Sequence, residues 1–127
     1  MIVAGVGSRQ GTEADELEKV VRMALDLFRM PAERLEVLAT ESAKATAPAF
    51  VEAARRLSVK LVACTIADLD RVAGLVLTPS KLVLETKGVP SIAEASALVA
   101  AGRNARLLGT RVATAGATCA IAIGDGP

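Results

Sequence analysis

The sequence contains no histidine, tryptophan or tyrosine, and its aromatic content is two phenylalanines. Each absence removes a kind of chemistry. Without His the commonest general base and metal ligand is missing, and without Tyr or Trp no phenol or indole can donate, stack or act as an acid. Cysteine is scarce: Cys64 and Cys119 lie far apart, in apolar runs, with no paired motif. That spacing speaks against a zinc site or a CxxC redox centre, and such thiols ordinarily pack as small hydrophobes. The expectation is a protein without a metal or cofactor of its own. No apolar stretch approaches the roughly 18 residues of a membrane span, and Met1-Ile2-Val3 enters a strand pattern without the basic flank of a signal peptide. The expected location is the cytoplasm.

What is present is an ordinary globular composition. A chain of 127 residues that is 52% hydrophobic suits one domain, spanning 1–127, with a sizeable core. The net charge of +1 argues against a dedicated nucleic-acid binder. Residues 71–127 carry more basic than acidic side chains, a bias compatible with an acidic small molecule.

Short apolar runs alternate with helical patterns, the signature of an α/β layered domain. Ile2–Val6 reads as a strand buried on both faces. Thr12 is placed to cap the next helix, with Asp15 as its acidic third residue, and Leu17, Val20, Val21, Ala24, Leu25 and Phe28 then recur at helical spacing until Pro31. Leu35–Ala39 offers a second strand, Pro48–Leu57 a helix and Val59–Cys64 a third strand. Thr65 and Asp68 have capping-box spacing for a brief helix to about Ala73. Thr78-Pro79 opens a further helix, although Leu82-Val83-Leu84 reads equally as strand. After the break at Gly88-Val89-Pro90, Ser91 and Glu94 form a capping box for an Ala-rich helix ending at Gly102. Leu107-Leu108 and Ala117–Ile123 read as closing strands, and the tail from Gly124 to Pro127 is expected to fray. The spacing of the first three strands predicts a parallel core, so the fold class is a three-layer α/β/α domain with a mainly parallel or mixed central sheet.

Ligands of such sheets bind beyond the carboxyl ends of the strands. Three polar clusters should meet there: the loop Gly7-Ser8-Arg9-Gln10-Gly11-Thr12, the segment Thr40-Glu41-Ser42-Ala43-Lys44, and Thr65. The glycines of the loop permit close backbone approach, a helix N-terminus follows, and Arg9 adds a fixed charge, which together suit anionic oxygens. A tight turn alone would account for the same glycines. Phosphate and carboxylate are bound alike by such a loop, and the dinucleotide fingerprint fails because Gln10 stands where its third glycine belongs. A nucleotide-binding module is therefore a minor alternative. Lys44, Glu94, Glu41 and Asp68 are the groups left for acid–base work, and Lys44 and Glu94 are the candidates for catalysis, although such residues are more often a solvated surface lysine and a helix cap.

Taken in order, four segments carry a resemblance. They are Gly5-Val6-Gly7-Ser8-Arg9-Gln10-Gly11-Thr12; Leu38-Ala39-Thr40 with Lys44-Ala45 and Pro48; Gly88-Val89-Pro90-Ser91-Ile92-Ala93-Glu94-Ala95-Ser96-Ala97-Leu98; and Ala117-Thr118-Cys119-Ala120-Ile121-Ala122. The sequence resembles the CobE/CbiG C-terminal family of cobalamin biosynthesis over nearly its whole length. The third segment, G-x-P-S-x-A-E-A-x-A-L, is the most specific. The resemblance implies a small free-standing α/β domain that binds a precorrin or other corrinoid intermediate as an accessory or carrier protein, working beside other enzymes of the pathway. It also implies an alternative, lactone hydrolysis of a precorrin. Two departures bear on that alternative: Ser8 stands where the family often has Cys, and Ala47-Pro48-Ala49 lacks the Glu that often precedes Pro-Gly. The ligand-binding residues expected on this reading are Gly7, Ser8, Arg9, Gly11, Thr12, Thr40, Lys44, Gly88, Ser91 and Glu94, with residues 88–94 forming a second wall of the cleft that holds loop 7–12 and Lys44.

Overall fold

The computed structural model describes residues 1–77 and 91–127. The helix or strand expected within 78–84 and the break at Gly88–Pro90 lie outside them. Among the described residues the elements are β1 (Ile2–Ser8), α1 (Ala14–Leu27), β2 (Leu35–Glu41), α2 (Ser42–Ala45), α3 (Pro48–Leu57), β3 (Lys60–Cys64), α4 (Ile66–Arg71), α5 (Ile92–Ala101), β4 (Arg106–Leu107), β5 (Val112–Ala113) and β6 (Ala117–Ile123). Single 3-10 turns at Ala32–Arg34 and Ala73–Leu75 complete them.

The sheet runs β3-β2-β1-β6-β4, with β5 also paired to β6. β1, β2 and β3 are parallel neighbours, as their spacing predicts. β6 closes antiparallel against β1 from Ile2↔Ile123 to Ser8↔Ala117, so the sheet is mixed.

Alternation along β1 sends side chains to two cores. Ile2, Ala4 and Val6 meet Leu17, Val20, Val21, Ala24 and Leu25 of α1 and Phe50, Ala53 and Ala54 of α3. Val3 faces the opposite core, with Val37, Ala39, Ala120 and Ala122 from the sheet, Leu69 of α4, and Ala93, Ala95, Ala97 and Ala101 of α5. The two helical layers on either face of the sheet make the three-layer α/β/α arrangement.

Gly5 belongs to this second face. A Cβ there would overlap the carbonyl oxygen of Ala93 and lie 2.5 Å from the amide nitrogen of Ala97. The Ala-rich composition of α5 and Gly5 are thus two sides of one close helix-on-strand contact, and Gly5 serves packing rather than ligand approach.

Two local expectations give way to long-range contacts. Thr12 does not cap α1: Glu13 occupies the N-cap position and no side chain caps the helix. The Thr12 hydroxyl is instead engaged with the carbonyls of Arg9 and, 104 residues on, Gly116. The tail does not fray at Gly126, whose N–H donates to Ala101 O at 2.8 Å while its carbonyl accepts from Arg103 N at 2.9 Å. Thr65 and Ser91 do cap their helices, accepting from the amides of Asp68 and Glu94. No helix among the described residues is long and apolar enough to cross a membrane.

Candidate functional site

A cleft of about 860 Å³ opens at the carboxyl ends of β1 and β2, the edge of the sheet where α/β folds place ligands. Its lining comes from four stretches of chain: Gly7 to Thr12 after β1, Glu41 to Phe50 after β2, Ile92 at the start of α5, and Arg111 with Thr114 to Thr118 around the β5–β6 turn.

Local structure explains how each part is held. Gly7 pairs with Thr118, and a Cβ on Gly7 would sit 3.1 Å from the Thr118 hydroxyl and 3.3 Å from Ile92 Cβ. The glycine therefore lets Ile92 and Thr118 reach the floor of the cleft. Gly11 adopts φ +83° with open space around it, the left-handed conformation that turns the loop toward α1. Lys44, on the short α2, directs its ammonium to the Ser8 carbonyl, with the Ser8 hydroxyl 3.4 Å away. This contact ties the end of β2 to the end of β1.

The β5–β6 turn is fastened to the β1–α1 loop through Gly116. Its carbonyl accepts from Arg9 N at 2.9 Å and from the Thr12 hydroxyl at 3.0 Å, and its N–H donates to Glu16 Oε2. Glu16 also accepts from Thr114 Oγ1 at 2.7 Å. The Thr114 hydrogen bond and then the Gly116 N–H hold the Glu16 carboxyl below the ordinary carboxylate value, with Lys19 and Arg9 adding weaker attraction. A Cβ at position 116 would lie 2.8 Å from Glu16 Oε2, so a side chain there would push the carboxylate out of this contact.

These contacts revise the expected anion holder. The first turn of α1 carries Asp15 and Glu16, with Glu13 at its cap, so acidic residues already complement that end of the helix dipole. Positive charge at the cleft comes from three side chains, Arg9, Lys44 and Arg111.

Of the residues proposed from sequence, the structure brings Gly7, Ser8, Arg9, Gly11, Thr12 and Lys44 together around the cleft. Thr40 is fully buried and its hydroxyl donates to Val6 O at 2.7 Å, a strand-to-strand tie beneath the site. Ser91 and Glu94 are also fully buried. The second wall reaches the cleft through Ile92 instead, and Gly88 lies outside the described residues. Thr65 caps α4 and does not line the cleft.

Sequence reasoning missed Arg111, Thr114, Gly116, Thr118 and Phe50. A hairpin cue was present in Ala115-Gly116 between Val112-Ala113 and the β6 run, but nothing local marks Arg111. Among the described residues no group of three or more His, Cys, Asp or Glu side chains could hold a metal ion.

Residues 2–122 match the family described as cobalamin synthesis G C-terminus. The chain is 32% identical over 121 residues to Protein CobE of a Sinorhizobium species, covering 95% of this chain and 79% of that protein. Its fold superposes on the crystal structure of CobE, a protein from the cobalamin (vitamin B12) biosynthetic pathway, with a TM-score of 0.92 at 28% identity, over 100% of this chain and 92% of that one. The cobalamin biosynthesis protein chiG of Agrobacterium tumefaciens aligns with a TM-score of 0.78 at 37% identity, over 98% and 99% of the two chains. With this fold, and with the family match running from β1 into β6, the chain belongs to the cobalamin synthesis G C-terminal family and is a CobE-like protein of the cobalamin pathway.

Proposed function

We propose that the cleft binds a precorrin or related corrinoid intermediate and that the protein serves cobalamin synthesis as a cytoplasmic accessory or carrier, passing its ligand to other enzymes of the pathway. The observation that carries this reading is the lining: a volume of about 860 Å³ with Arg9, Lys44 and Arg111 set among Phe50, Ile92 and several alanines. That volume falls in the range of about 300–1,000 Å³ common to small-molecule sites. Precorrins carry acetate and propionate groups around a large apolar ring, so cations suit their rim and aliphatic side chains suit their faces.

Binding is favoured over lactone hydrolysis by the placement of the candidate catalysts. Lys44 is turned to the Ser8 carbonyl, and Glu94 is fully buried, away from the cleft lining. Titration of the protein with cobyrinic acid, followed by corrin absorbance, tests the reading against ATP and NAD as competitors. Saturable binding of the corrinoid, undisturbed by either nucleotide, is the expected result. Replacing the exposed Arg9 by Ala should weaken that binding about tenfold at low ionic strength, the loss of one charge-assisted hydrogen bond. Turnover of a lactone-bearing precorrin to the ring-opened acid would replace the carrier reading with the enzymatic one.

A further inference from the structure

Arg111 immediately precedes β5, and the cleft gives it a setting unlike that of the surface arginines. Arg22, Arg55, Arg56 and Arg71 each pair with a carboxylate on their own or a neighbouring helix, while Arg9, Arg29, Arg34, Arg103 and Arg106, which form no ion pair among the described residues, are exposed to water. Arg111 is half-buried, lines the cleft, and forms no ion pair among the described residues. A guanidinium that loses part of its hydration without a protein carboxylate is a receptor for an external one.

Its position is fixed by the sheet. Val112 pairs with Cys119, and Cys119 pairs with Val6, so β5 stands two strand spacings from β1, about 10 Å. Arg9 extends from the far end of β1, on the other side of β6. The turn between β5 and β6 is held by Thr114 and Gly116 against Glu16, so the base of Arg111 is anchored rather than carried on a free loop.

Building on the reading of the cleft as a corrinoid site, we propose that Arg111 is a specificity-determining residue that takes a peripheral carboxylate of the ligand on the β5 side, while Arg9 and Lys44 serve the β1 side. Cations carried on strands two spacings apart, and offset along them because Arg111 precedes Val112 while Arg9 follows Ser8, suit a broad ring bearing carboxylates on more than one edge.

The test titrates the wild type, Arg111→Ala and Arg111→Lys with two probes: cobyrinic acid, whose peripheral groups are free carboxylates, and its fully esterified form. The expected result is that Arg111→Ala weakens the acid roughly tenfold to a hundredfold, the range for a lost charge-assisted hydrogen bond. It should leave affinity for the ester unchanged, and Arg111→Lys should fall between, because it keeps charge but not the planar fork. Wild-type affinity of Arg111→Ala for the acid overturns the assignment while leaving the corrinoid reading intact. An equal loss for acid and ester also overturns it, since that marks a disturbed cleft rather than a lost carboxylate contact. A wild-type protein that binds neither probe overturns both.

Discussion

Glu16, in the first turn of α1, and Thr114, in the β5–β6 turn, are joined by a 2.7 Å hydrogen bond across 98 residues of chain. With the Gly116 N–H on the same carboxylate oxygen, this contact fastens one wall of the cleft to the other. The carboxyl sits below its ordinary value of 4.5 because these donors favour the charged form. A depressed folded value means that Glu16 contributes its full share of stability above pH 4.5 and loses it as acid protonates the folded carboxyl. The difference in thermal midpoint between wild type and Glu16→Ala should therefore be constant at neutral pH and narrow progressively below pH 4.5. A gap that widens in acid would contradict the assignment.

Gly5 and Gly11 should respond differently to the same substitution. Gly5→Ala forces a Cβ into backbone atoms of α5, which cannot swing aside, and overpacking of this kind costs about 1–3 kcal/mol. Gly11→Ala meets no neighbour and pays only for its positive φ, about 1 kcal/mol. Urea unfolding of the two variants should show Gly5→Ala as the less stable. Equal losses would mean that α5 docks more loosely on β1 than the contact implies.

The layered fold could be read from the sequence because its signals are local and redundant. Apolar periodicity marked α1 and α3, and Ser91 and Thr65 had hydroxyls at the right distance from an amide. Thr12 had the same local credentials and failed, because its hydroxyl is used by Gly116, a partner that no window of neighbouring residues contains. The site was half legible for a similar reason. Glycines and charges after β1 and β2 follow from strand order, whereas β5 is two residues long and exists through pairing with β6, so Arg111 has no sequence pattern of its own. Nothing in its neighbours distinguishes Glu16 from an ordinary first-turn acid, and its bond to Gly116 exists only once distant parts of the chain meet.

Removing the hydroxyl of Ser91 should cost about 1 kcal/mol, the usual effect of losing an N-cap acceptor. Ser91 Oγ accepts from Glu94 N at 3.3 Å in a fully buried setting, where water cannot replace it. Thr65→Ala removes a similar bond of 3.1 Å from an exposed cap on the six-residue α4, so its effect should be smaller. Denaturant unfolding of both variants checks the order.

Cys64 and Cys119 should be silent toward thiol reagents in the native protein. Burial, aided by the nearby Asp68 charge, pushes the Cys64 thiol up to about 11, and full burial raises Cys119 further. Because the thiolate is the reacting form, dithionitrobenzoate at pH 8 should label neither until the fold opens. Cys64 ends the edge strand β3 and Cys119 lies inside β6, flanked by β1 and β5, so Cys64 should react first in mild denaturant. Immediate labelling of native Cys119 would contradict the packing of β6.

Arg9 and Lys44 both bring positive charge to the cleft, yet salt should separate them. Arg9 is exposed, whereas Lys44 is half-buried with its ammonium against the Ser8 carbonyl. Mobile ions reduce the Debye length from about 10 Å at 0.1 M to about 3 Å at 1 M, and they screen exposed charges far more than partly buried ones. Arg9→Ala should therefore weaken corrinoid binding about tenfold at low ionic strength and much less at 1 M salt. Lys44→Met should weaken it at both, because it removes a less screened cation and also releases α2 from the end of β1. Calorimetric titrations of cobyrinic acid at the two salt concentrations measure the contrast. If both variants lose their effect in 1 M salt, Lys44 acts only through the general field of the cleft; if neither does, Arg9 closes over the bound ligand and shares the shielded environment of Lys44.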